Sequence, residues 1–233
     1  MNRLFYNSFA KVRSIVAHGV VCMLLFAVTS CGNSQKSPEN ECVWKDEYKW
    51  VCVCEWGRQT ITENTPFSWR NDVPALTINE KTLKIMPPLD MERLFCEDIN
   101  SRLARFGYPH KVNYNLENSG EWIILPKGDR LWRLTISSPG ALAFNILFDQ
   151  FWMPNGAKFW AYDNDHRHSM DAMTSIFNDR QGSATGLIYG DHITLEYFLP
   201  NYASGNSFIS IAYVVHGYRL IRRPGCICQF PRW

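Results

Sequence analysis

The most reactive side chains in this chain are its eight cysteines. Two pairs are spaced Cys-x-Cys, Cys52 with Cys54 and Cys226 with Cys228, while Cys42 and Cys96 stand apart from them. On a strand, residues i and i+2 share a face. The members of each pair are then close, but poorly placed to bond each other. In an oxidising compartment these six are candidate disulfide partners, with the pairing left open. A zinc site from the four Cys-x-Cys cysteines and free thiols are the other two readings. Zinc ligands are usually spaced more widely than Cys-x-Cys, which counts against the metal.

A second polar cluster is Asp163-Asn164-Asp165-His166-Arg167-His168. Asp163, Asp165, His166 and His168 offer two carboxylates and two imidazoles, the donor types of a metal site. Asp-Asn-Asp is also strong turn chemistry, and Arg167 in its middle opposes a bound cation. The segment therefore reads as a solvated hairpin loop with no metal. Asp149 and Asp191 are a candidate carboxylate pair, but each sits beside a turn and reads as a cap. His216, standing alone, reads as a hydrogen-bonded edge residue rather than a base. Trp44, Trp50, Trp56, Trp152 and Trp160 are candidate surfaces for stacking a sugar, although aromatics on a sheet more often fill a core. The sequence holds no Gly-Asp-Ser-Gly-Gly, Gly-x-Ser-x-Gly, P-loop, GxGxxG or HExxH string. As given, the chain reads as no enzyme and as having no cofactor.

The first thirty residues are an address. Arg3, Lys11 and Arg13 form a positive start, and Val20 to Val28 form an apolar run too short to span a bilayer of about 30 Å as a helix. The run ends in Val28-Thr29-Ser30-Cys31, which resembles the bacterial lipobox. That resemblance implies lipid transfer to the Cys31 thiol, cleavage before it, and a membrane anchor of several acyl chains. Cys22 would leave with the signal. Gly32 after the cysteine resembles lipoproteins sent on to the outer membrane. The rest of the chain holds 21 basic against 22 acidic residues, so it carries no electrostatic footprint for nucleic acid.

The elements that would position these residues follow from hydrophobic period. The chain has 233 residues, 46% hydrophobic and 20% charged, with no low-complexity tract, which excludes a disordered protein. Residues 31–41 are a polar tether. Residues 42–85 form an N-terminal arm with short strands near 41–56 and weak signals from 57 to 80. Asp90 is a plausible N-cap for a helix over 90–104, with Met91, Leu94, Phe95, Ile99 and Leu103 on its apolar stripe. Beyond residue 110 the period changes to that of strands. About nine are expected: Val112–Leu116, Trp122–Leu125, Leu131–Ile136, Ala143–Phe148, Lys158–Tyr162, Ala172–Ile176, Gly186–Tyr189, Ile193–Phe198 and Phe208–Val215. Turn signals such as Pro139-Gly140 and Pro154-Asn155-Gly156 separate them. The fold class is mostly β, an antiparallel β-sandwich or jelly roll over 86–219 with one short N-terminal helix. The tail 220–233 shows no strand period.

Several strings in this stretch carry a family resemblance. They are Gly128-Asp129-Arg130-Leu131-Trp132-Arg133-Leu134, Phe148-Asp149-Gln150-Phe151-Trp152-Met153-Pro154-Asn155-Gly156-Ala157-Lys158, Gly190-Asp191-His192-Ile193-Thr194-Leu195-Glu196-Tyr197 and Val214-Val215-His216-Gly217-Tyr218-Arg219. Met86-Pro87-Pro88-Leu89-Asp90 joins them. In order and spacing they resemble the N-terminal pro-region of secreted bacterial trypsin-like serine peptidases of the lysyl endopeptidase type. The resemblance implies a β-rich domain that aids folding of a catalytic domain and keeps it latent. Here the chain ends fourteen residues after Arg219, and none of the family's catalytic positions is present. The expectation is therefore a lipid-anchored, non-catalytic β-sandwich in the outer membrane, acting in trans on a trypsin-like peptidase, or a truncated precursor of such a peptidase. The alternatives are a cell-surface lipoprotein that binds a glycan or peptide, and the front part of a full serine endopeptidase.

Overall fold

The computed structural model describes residues 59–101, 105–179 and 182–219, together with the backbone of 51–54 and 226–229. Residues 1–50 lie outside these, so the address segment, Cys31, Cys42, Trp44 and Trp50 do as well; so does Trp56.

Alternation of apolar and polar residues builds two five-stranded sheets. In the first, β5 (Arg130–Ser137) pairs antiparallel with β10 (His192–Leu199), and β10 with β7 (Lys158–Tyr162). The far edge of β5 is shared by β4 (Glu121–Ile124) and β2 (Leu83–Ile85). In the second sheet, β11 (Phe208–Gly217) lies between β3 (Gly107–Asn115) and β6 (Ala143–Trp152). The short β8 (Ser183–Ala184) and β9 (Ile188–Tyr189) share the outer edge of β6. The fold is thus mostly β and sandwich-like, as the period requires. Its sheets are antiparallel except at one place, where β2 runs parallel to β5.

The core lies between the sheets. Trp132, Leu134 and Ile136 of β5 and Ile193, Leu195 and Tyr197 of β10 face Phe144, Ile146 and Phe148 of β6 and Ile209 and Ile211 of β11. Phe148, Phe151 and Phe159 form an aromatic cluster with ring centroids 4.9–5.6 Å apart.

Four expectations need correction. Residues 172–176 form no strand: Met173 makes an isolated bridge to Phe159, and Ser175–Phe177 turn as a single 3-10 turn. The 3-10 turn shortly after Met173 takes the backbone out of the extended conformation and ends the ladder there. The tail, read as irregular, contributes β12 (Cys226–Gln229), which pairs with β1 (Val51–Cys54) as a two-stranded ribbon. The helical turn α1 (Phe67–Arg70) sits in the segment of weak signals, and β2 follows it at the end of the arm. The helix α2 (Met91–Ser101) starts as expected, with the Arg93 amide donating to the Asp90 carboxylate at 3.0 Å. Its buried face keeps Leu94 of the expected stripe but replaces Ile99, which is exposed, with Asp98, which is buried. Asp98 accepts from the Tyr218 hydroxyl at 2.9 Å and from Arg219 at 2.8 Å, and it pairs with Arg105. A buried carboxylate is tolerable with that many donors.

The ribbon's register sets Cys52 opposite Cys228 and Cys54 opposite Cys226. Opposed Cα atoms in an antiparallel pair are about 4.5–5.5 Å apart, within the roughly 4.4–6.8 Å that a disulfide spans. Cys96 is disulfide-bonded. Peptide mapping without reduction is expected to recover Cys52 linked to Cys228 and Cys54 linked to Cys226. A Cys52–Cys54 linkage would contradict the register. In the core, Phe159→Ala is expected to cost about 3–5 kcal/mol, read by denaturant unfolding, because the ring is fully buried and packs edge-on against Phe148 and Phe151.

Candidate functional site

The outer face of the first sheet is the unusual surface. Alternation brings Arg133 and Thr135 of β5, Thr194 and Glu196 of β10, and Trp160 and Tyr162 of β7 onto it. On an ordinary sandwich such residues would be wet. Here all of them are buried, Glu196 and Trp160 completely.

The cover is the segment 59–80, which crosses this face as a third layer. It is attached by polar groups at several points. The Trp160 indole donates to the Asn64 carbonyl at 2.7 Å, and the Ser68 amide donates to Glu196 Oε1 at 3.1 Å. Gln59 Oε1 accepts from the Ser169 amide at 3.0 Å, and the Arg133 guanidinium donates to the Pro74 carbonyl. Aromatic contacts add to these. Phe67 stacks on Phe198 with centroids 4.6 Å apart, and Trp69 meets Tyr162 edge-on at 5.3 Å.

The cover leaves a cleft of about 230 Å³. Leu76 and Ile78 line it from the arm. Arg133, Thr135, Thr194 and Tyr162 line it from the sheet, and Asn164 and His166 from the hairpin loop. The wall is cross-linked: Thr135 and Thr194 share a hydrogen bond of 3.0 Å, and the Thr194 hydroxyl donates to Asn164 Oδ1 at 2.6 Å. His166 holds a left-handed backbone (φ 59°) and stacks on Trp69 at 4.6 Å. That conformation is uncommon outside glycine, though histidine adopts it more readily than most.

Two groups in this site carry unusual electrostatics. Glu196 accepts from the Ser68 amide and, at 3.1 Å, from the Tyr162 hydroxyl. Burial pushes its carboxyl above the ordinary glutamate range, and these donors and Arg133 only partly oppose that. Burial, and then the charge of Glu196, push the Tyr162 phenol up as well. Arg133 stands opposite Glu196 in the ladder, yet forms no ion pair among the described residues. It is 7% exposed, and its Nε is buried without a hydrogen-bond partner. The Trp69 indole nitrogen is also buried and unpartnered. Such groups cost about 1–3 kcal/mol each. The arrangement can bind and orient a polar group. The Ser68 hydroxyl also lies 3.2 Å from the Tyr162 hydroxyl, so Ser68, Tyr162 and Glu196 form one hydrogen-bonded chain.

The residues singled out in the sequence are placed differently. In the hairpin loop, Asp163 Oδ1 accepts from the amides of Arg167 and His168, both at 2.8 Å, and Arg167 pairs with Asp163 and Asp165. Those carboxylates hold the turn, and His166 belongs to the cleft. Among the described residues no three His, Cys, Asp or Glu side chains converge as metal ligands would. Asp149 is exposed on β6 of one sheet, while Asp191 precedes β10 of the other and pairs with His192 at 2.7 Å. His216 is hydrogen-bonded to the Ser138 hydroxyl at 2.7 Å, but on the central strand β11 and buried, not at an edge. Burial and the neighbouring His110 hold its imidazole below the usual range. Trp160 is a buried pillar rather than a stacking surface, whereas Trp152 is partly exposed. In the sequence Arg133, Thr194, Glu196 and Tyr162 stand only as strand or resemblance residues, and nothing marks them or Trp69 as a site. The available signal was the set of apolar residues Phe67, Trp69, Leu76 and Ile78 in an otherwise polar arm. No protein-family model matches the chain, and no solved structure does.

The carboxyl of Glu196 gives a pH test. Its pKa is raised in the folded state, so stability is fully present below the ordinary glutamate pKa of about 4.3 and is lost as pH rises toward the folded value. Thermal unfolding of Glu196→Gln and the parent is therefore expected to show a difference in Tm that moves in favour of the variant as pH rises above about 4.5. A difference independent of pH would mean that Glu196 titrates alike folded and unfolded.

Proposed function

We propose that this protein is a lipid-anchored, non-catalytic β-sandwich of the cell envelope that works by binding, and that the polar cleft under the arm is its ligand site. The observation that supports this is the cleft's composition. A buried guanidinium, two cross-linked threonines and an asparagine converge on one cavity, flanked by Leu76, Ile78 and a Trp69–His166 stack. Sites that take small polar ligands pair a few placed polar groups with apolar walls in this way. The ligand class is a glycan or a peptide, and Cys31 supplies the membrane attachment.

A second reading is docking to a trypsin-like peptidase in trans. What favours it is where the resembling strings fall. Four of the five strings enter or leave a strand of the two sheets, at the turn into β5, the β6–β7 connection, the start of β10 and the end of β11, and the fifth joins β2 to α2.

Two measurements test the proposal. Cells fed labelled palmitate are expected to label the protein, and Cys31→Ser is expected to abolish the label and release the protein from the membrane fraction. In detergent, titration of the full chain with envelope polysaccharides and with peptides is expected to change tryptophan fluorescence saturably. That change should shrink by at least about half in Trp69→Phe, given the place of Trp69 beside the cleft. Inhibition of a trypsin-like peptidase with no response to glycans or peptides would favour the second reading.

A further inference from the structure

We infer that the cleft beside Arg133 receives a carboxylate, and that the ligand is a small molecule or chain end carrying one such group next to a compact apolar or ring surface. This deepens the binding reading above and rests on it.

The charge balance points to an anion. Arg133 is more than nine-tenths buried and permanently charged, yet no carboxylate pairs with it among the described residues. A buried guanidinium ordinarily has its donors matched by an anion. Here one nitrogen donates to the Pro74 carbonyl and Nε has no acceptor. Glu196 is the nearest formal counter-charge across the ladder. Its oxygens are engaged by Ser68 and Tyr162, and burial disfavours its ionised form.

The same balance limits the anion to one charge. Among the described residues, Arg133 is the one permanently charged cation lining the cleft. A phosphate dianion would meet a single guanidinium above a buried glutamate, with excess negative charge and no second cation. A carboxylate matches both the charge and the planar fork of the guanidinium. The hydroxyl protons of Thr135 and Thr194 are already engaged with each other and with Asn164, so the guanidinium is the donor for the anion, and Leu76 and Ile78 offer an apolar wall for the rest of the ligand. Two sources share this chemistry, the uronic acid of a polysaccharide and the C-terminal carboxylate of a peptide.

The test is calorimetric titration of the full chain in detergent. The probes are D-glucuronate and N-acetyl-leucine, with D-glucose, N-acetyl-leucine amide and inorganic phosphate as controls. Saturable binding of one carboxylate, at least about tenfold tighter than its neutral counterpart, is the expected result. Which of the two binds identifies the source. Arg133→Gln is expected to remove the preference for the carboxylate. Because that side chain is buried, Ile78→Trp serves as a second variant. Ile78 is 64% exposed and lines the cleft, so a larger ring there should block binding while leaving the fold intact. Equal binding of acid and amide overturns the inference, and so does phosphate binding in place of either carboxylate. If both carboxylates fail while envelope polysaccharide or peptide still changes the fluorescence, the inference falls and the binding reading stands. If nothing binds, both fall.

Discussion

The burial of Glu196 is the constraint around which the third layer of this protein is arranged. A glutamate on the outer face of a sheet would ordinarily be wet and ionised. Here it has no exposure, so its oxygens must find donors inside the protein. One donor is the Tyr162 hydroxyl on the neighbouring strand, and the other is the backbone amide of Ser68 in the arm. The second bond joins residues 128 apart in the chain. The arm therefore has a polar anchor at the centre of the sheet, and the Trp160–Asn64 and Arg133–Pro74 bonds fix it on either side.

That anchoring changes what the sheet can do. A bare outer face would offer a flat, hydrated surface with weak grip on any small ligand. Covering it dries the face, so each remaining polar group interacts in a lower dielectric and counts for more. The cover is incomplete over Arg133, Thr135 and Thr194, and the space left is the cleft. Ligand recognition and attachment of the arm thus use the same face, with Arg133 serving both. The site is made by a strand ladder and a crossing segment together, and neither contains it alone.

The two ends of the described chain follow a different logic. β1 and β12 pair as a ribbon that sets two cysteines of one end opposite two of the other. Neither strand is long, and a two-stranded ribbon is marginal by itself in water. Cross-linking across it would supply what its short ladder lacks. Asp98 gathers Arg105, Tyr218 and Arg219, and Phe95 of the apolar stripe meets the Tyr218 ring edge-on at 5.5 Å, so α2 is tied to the end of β11 by charge as well as by its stripe.

What the sequence by itself determined is the sandwich. Alternation at positions such as Leu131 to Ile136 and Ile193 to Phe198, cut by glycine and proline turns, dictates half-buried strands because the side-chain period of a strand is two. The Asp90 cap and the Asp163 turn were legible for the same reason: both are local, set by side chains that bond backbone amides a few residues away. The tertiary structure alone decided the site. Arg133, Thr194 and Glu196 occupy ordinary outward positions in their strands, and the sequence pattern of an outward residue is the same whether water or another segment lies over it. The β2–β5 pairing, the β1–β12 ribbon and the arm over the sheet are contacts between distant segments, and hydrophobic period carries no information about partners. For that reason the fold class could be read along the chain, whereas the cleft exists only where residues 59–80 come to rest on the sheet.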